Sequence, residues 1–89
     1  ATSALLYVDS TTNGKFVNMK INGAVGSTNN LVYITDTIQA AKNITFDNCT
    51  FVGGGYGMNV VVQNYGINSV RVNNSSFDTL SGAGYVRTR

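Results

Sequence analysis

The chain has 89 residues and carries six Lys or Arg against four Asp, with no Glu and no His, for a formal charge of +2. That length holds at most one small domain with a marginal core, and its single Cys, Cys49, excludes an internal disulfide. Without His or clustered Cys there is no zinc site, the charge is too thin for nucleic acid, and no apolar run approaches the ~18 residues that cross a membrane.

No metal, cofactor, nucleic-acid or membrane partner is therefore expected, and no basic-then-apolar leader opens the chain. There are twelve Asn, ten Thr, ten Gly and seven Ser, with no Pro and no Trp. Charged residues make up 11%, against about 25% in an ordinary domain. The apolar residues are mostly Val, Ile, Leu, Phe and Tyr, which suit strands, and Gly, Asn and Ser supply turns. The expected class is all-β.

In chain order, "LYVDS" (6–10) reads as a strand that "TTNG" (11–14) closes. "FVNMKING" (16–23) follows as two short strands around Asn18. "VYITD" (32–36) repeats the first strand, and "TIQAAK" (37–42) is a longer connector rather than a helix. "NITFDNCTF" (43–51) repeats the second group, and "GGGYG" (53–57) turns the chain. That glycine run lacks the Lys-Ser/Thr of a phosphate loop and opens no helix. "VVVQN" (60–64) and "VRVNNSSF" (70–77) make a third copy, and "YVRTR" (85–89) starts a further strand.

Asn18, Asn48 and Asn74 align at spacings of 30 and 26. Two positions before them stand Phe16, Phe46 and Val72, and three after them Ile21, Phe51 and Phe77. The first strands align as Leu6, Val32 and Val60, at spacings of 26 and 28. Repeats of this length describe stacked coils that share one core. The chain is read as a single β-solenoid segment with coils at about 4–29, 30–57 and 58–84. Period-2 alternation assigns Leu6, Val8, Val32, Ile34, Val60 and Val62 to the core. It adds Ile44, Phe46, Phe51, Val70, Val72 and Phe77. The three Asn are expected in one buried column, where a left-handed backbone suits Asn. The alternative is a small antiparallel sandwich of hairpins.

The pattern carried by "NITFDNCTF", "VRVNNSSF" and "FVNMKING" resembles the asparagine ladder of right-handed parallel β-helix proteins, the pectate-lyase-like superfamily. Within it, Gly/Asn/Thr-rich coils without His look most like bacteriophage tailspikes and related receptor-binding proteins. That resemblance implies a homotrimer on a virion or extracellular surface that engages bacterial surface polysaccharide. Lyases of the superfamily use an acidic calcium site and a proton-abstracting base. No acidic cluster matches here, and Lys20, Arg71, Arg87 and Arg89 fall in different columns, so no residue role carries over.

Glycan cleavage generally needs two carboxylates. Asp9 and Asp36 end strands in adjacent coils and are the only weak catalytic candidates, but closing a turn is the ordinary work of such an Asp. Their one-residue offset would aim them at opposite faces unless a bend intervenes. Tyr7 and Tyr33 stack with outward parity, and aromatics there suit a sugar ring or a second subunit. Cys49 is read as a small buried filler. Asn-X-Ser/Thr triplets are expected by chance in such a composition. With no visible caps, the chain is expected to be a segment of a longer solenoid or to be covered by other subunits. Alone it should neither persist as a monomer nor cleave glycan. Three functions stay open: glycan recognition in a tailspike-like protein, part of a polysaccharide lyase or hydrolase, and a structural spacer or adhesin stalk.

Overall fold

The computed structural model describes residues 4–23, 30–78, 80 and 86–88. Tyr85, Arg89 and the expected coil limits at residues 29 and 84 lie outside them. The described elements are all strands: β1 (Ala4–Asp9), β2 (Lys15–Val17), β3 (Lys20–Asn22), β4 (Asn30–Thr35), β5 (Ala41–Asp47), β6 (Thr50–Val52), β7 (Met58–Val61), β8 (Ile67–Asn73), β9 (Ser76–Asp78) and β10 (Val86–Thr88). They form three sheets, in the order β1-β4-β7-β10 (sheet A), β2-β5-β8 (sheet B) and β3-β6-β9 (sheet C). Every pairing is parallel. Each strand therefore pairs with its counterpart one coil away, and the fold is a short parallel β-solenoid of about three coils. The antiparallel sandwich is excluded. Residues 37–40 form a connector, with no helix, and Ala41 already begins β5.

Like stacks on like through the interior. Phe16, Phe46 and Val72 are in register in sheet B, and Ile21, Phe51 and Phe77 in sheet C. The Phe16 and Phe46 rings stack 4.8 Å apart, and those of Phe51 and Phe77 4.6 Å apart. Phe46 meets Phe51 edge-on at 5.9 Å, which ties the two columns together across the core. Offset and edge-on geometries both suit the ring quadrupole. Cys49 fills the space beside them, buried, with its thiol directed at the carbonyl oxygens of Phe16 and Asp47.

Sheet A departs from the sequence alignment. Met58 lies opposite Val32, and Val60 opposite Ile34. The β4-to-β7 offset is therefore 26 and not 28. Val62, expected in the core, is 52% exposed. Strand β7 ends at Val61, and Val62 already belongs to the following turn. Met58 takes the core position instead. Leu31 is also buried, packed so close to Gly23 that a Cβ there would lie 2.7 Å from Leu31 Cδ2.

The asparagines do form a column, but on the outside. Asn18, Asn48 and Asn74 have φ of 58°, 56° and 51°, and all three side chains are exposed. A left-handed residue at the corner between sheets B and C turns the backbone inward and the side chain out, so the expected buried column is corrected to a surface one. Asn48 Nδ2 donates to Asn18 Oδ1 at 2.6 Å, whereas Asn74 Nδ2 donates to Asp47 Oδ1 at 3.2 Å. A second column runs parallel at Asn13, Asn43 and Ser69, with φ of 60°, 58° and 65°. There Asn43 Nδ2 donates to Asn13 Oδ1 at 2.9 Å. The left-handed residue interrupts alternation within β5, which is why Ala41 and Ile44 both face the core.

Exposure moves the value of Asn48 from its amide to its backbone. Asn48→Ala should cost about 1–2 kcal/mol through left-handed strain, and Asn48→Gly should cost less because Gly adopts this φ freely. Denaturant midpoints of the two variants check this. An alanine variant as stable as the glycine one would show that the corner does not constrain the backbone.

Candidate functional site

The turns joining sheet A to sheet B gather most of the sequence candidates. Strand β1 ends in Asp9, and Ser10 follows with φ of 54°. This bend removes the expected opposition of Asp9 and Asp36: both carboxylates work at the same corner, each on the coil that follows. Asp9 Oδ1 accepts from Thr37 N–H at 2.9 Å and from the Ser10 hydroxyl at 2.8 Å. Asp9 Oδ2 accepts from the Thr37 hydroxyl. Ser10 Oγ accepts from the N–H groups of Ile38 and Gln39, at 3.0 and 3.1 Å.

One coil on, Asp36 repeats the device more completely. It is fully buried. Its Oδ1 accepts from Gln63 N–H at 2.6 Å. Its Oδ2 accepts from the N–H groups of Asn64 at 3.3 Å, of Tyr65 at 2.7 Å and of Gly66. Four consecutive N–H groups thus converge on one carboxylate, an anion nest built from a turn. Each Asp fastens the next coil to its own.

The electrostatics follow from these bonds. Burial works against the charged form of Asp36, but the N–H groups of Gln63, Gly66, Tyr65 and Asn64 overcome it and hold the carboxyl below its ordinary value. Asp9 is also lowered, first by the Thr37 hydroxyl and then by Thr37 N–H, against burial and the Asp36 charge. A glycosidase acid needs a carboxyl raised toward neutral pH. Both candidates are shifted the other way.

The two tyrosines are brought together. Tyr7 and Tyr33 are in register, and their rings stack at 5.2 Å with 14° between planes. Tyr7 is 52% exposed and Tyr33 is 6% exposed. The expected row of two open rings is thus one open ring lying on a covered one. The Tyr33 hydroxyl accepts from Gln63 Nε2 at 3.4 Å. Burial, then the Asp9 charge and Tyr33, raise the Tyr7 phenol, which stays a neutral hydroxyl at physiological pH. Leu5, two positions earlier on the same face of β1, is 60% exposed.

Among the described residues, the basic candidates Lys20 and Arg71 do not converge. Lys20 lies in β3 and Arg71 in β8, on different sheets. Among the described residues, no group of three or more Cys, Asp or Glu is placed to hold a metal ion. The sequence reading missed the turn side chains Ser10, Thr37, Gln39, Gln63 and Asn64. Their signal was present as polar residues directly after each sheet A strand. No protein-family model, curated protein or solved structure matches this chain.

Proposed function

We propose that the chain is a structural and glycan-recognition segment of a tailspike-like, phage receptor-binding protein that engages bacterial surface polysaccharide. The observation that carries the reading is the Tyr7 ring, open to solvent and backed by Tyr33 at 5.2 Å. A ring held flat by a second ring offers its face to the C–H groups of a sugar without ordering cost. The parallel solenoid with its Asn columns supports the tailspike-like setting. In that setting the protein stands on a virion or extracellular surface as a homotrimer.

The lyase or hydrolase reading places its chemistry on Asp9 and Asp36, and the hydrogen bonds that lower both carboxyls speak against it. The spacer or adhesin-stalk reading is favoured by those same bonds, since they hold one coil to the next. Calorimetric titration with purified bacterial O-antigen and capsular polysaccharides separates recognition from the spacer. Tyr7→Ala should weaken binding by about tenfold, and Tyr7→Trp should retain it. Binding that ignores both substitutions would remove the tyrosine face from the account.

A further inference from the structure

We propose that the corner between sheets A and B carries a second subsite, for a neutral oligosaccharide, centred on Tyr65. The proposal deepens the glycan-recognition reading and rests on it. Three side-chain amides crowd this corner. Gln39 Nε2 donates to Ser10 O at 3.0 Å, Asn64 Nδ2 to Thr37 O at 3.2 Å, and Gln63 Nε2 to the Tyr33 hydroxyl at 3.4 Å. Each bond reaches back to the preceding coil and engages the amino end of the amide. The carbonyl oxygens are left as acceptors on exposed side chains. Sugar hydroxyls are donors, and an amide oxygen fixed in place accepts them at little entropic cost.

The backbone beneath is equally fixed. Asp36 gathers the N–H groups of residues 63–66, and Ser10 Oγ holds those of Ile38 and Gln39. Tyr65 stands on this pinned turn, 61% exposed, with Val62 in the same turn at 52% and Ile38, in the turn one coil earlier, at 76%. An open aromatic ring on the same turns as fixed amide acceptors is the chemistry that binds the apolar face and the hydroxyl edge of a sugar. Turns 37–40 and 62–66 contain no Asp, Glu, Lys or Arg, and the Asp9 and Asp36 carboxylates beside them are taken up by the turns' own N–H and hydroxyl groups, so the ligand the turns suit is uncharged. Gln63 bonds Tyr33, which places the corner next to the Tyr7–Tyr33 face. A chain of several sugars can then lie across both.

The test titrates the intact protein with maltohexaose, cellohexaose and mannohexaose, and with hexagalacturonate as the anionic comparison, followed by 1H–15N spectra. A neutral hexamer should shift the side-chain amides of Gln39, Gln63 and Asn64. Tyr65→Ala should raise its Kd about tenfold, and Gln39→Leu severalfold. Both variants keep the N–H groups that bind Asp36 and Ser10, so the turns persist. If both leave Kd within about twofold while Tyr7→Ala abolishes binding, the corner subsite is overturned and the sheet A reading survives. Binding of hexagalacturonate alone overturns the neutral ligand. Sugar-free, concentration-dependent shifts at Ile38, Val62 and Tyr65 with a matching rise in sedimentation mass overturn the subsite in favour of a contact between copies. If no hexamer moves any resonance at millimolar concentration, both this subsite and the glycan reading fail.

Discussion

Phe51→Ala should destabilise the protein by about 3–5 kcal/mol, the cost of emptying a well-packed aromatic site. Phe51 is fully buried and sits where the two interior columns meet. It stacks on Phe77 at 4.6 Å, takes the edge of Phe46 at 5.9 Å, and lies in register with Ile21. The backbone at this position is pinned by parallel pairing on both sides, so the neighbours cannot collapse far into the space. Val17, 44% exposed on β2, is the control, and Val17→Ala should change stability by no more than about 0.5 kcal/mol. Denaturant unfolding with an unchanged m-value reads both. A loss below about 1 kcal/mol for Phe51→Ala would mean that the coils do not share one core.

Asp36→Asn should be the most damaging polar substitution in the chain, and it should also flatten the acid limb of the stability curve. The asparagine keeps one acceptor oxygen where two carboxylate oxygens receive four N–H groups, and its own amino group then faces donors. Unpartnered buried donors are destabilising. The sign of the pH effect follows from the lowered carboxyl. The folded state prefers the charged form more than the unfolded chain does. Its contribution is therefore complete above the unfolded value of 3.8, and it is lost as pH falls through the lower folded-state value. Asp9 acts in the same direction. Thermal melts from pH 7 down to about pH 2 should show a fall in the parent that is shallower in Asp36→Asn. Equal slopes would show that the carboxylate does not carry the turn.

Much of the fold was legible because stacked coils repeat their side chains. Phe16 with Phe46, and Phe51 with Phe77, are identical residues at the registered positions. The second Asn column was equally readable: Asn13 and Asn43 stand 30 apart, as Asn18 and Asn48 do, with Ser69 ending the series. The sheet A register was not readable. Met58, Val60 and Val62 are all apolar at period 2, so a slip of two residues leaves every inward-facing position apolar. Only the turn that Asp36 closes fixes where β7 stops. The roles of Asp9 and Asp36 were hidden for a related reason. Their partners are mostly backbone N–H groups, which leave no mark in the sequence. Polar identity alone likewise could not show that Tyr33 is covered while Tyr7 and Tyr65 are open.

In the proposed glycan-binding role the carboxylates fasten coils while aromatics and amides meet the ligand. The decisive measurement incubates the intact protein with purified bacterial O-antigen and capsular polysaccharides and follows bound polysaccharide and new reducing ends in the same sample. At least one polysaccharide should be retained, with no release of reducing ends above the protein-free rate. Release that disappears in Asp9→Asn or in a folded Asp36→Asn protein would contradict it and make the pair catalytic.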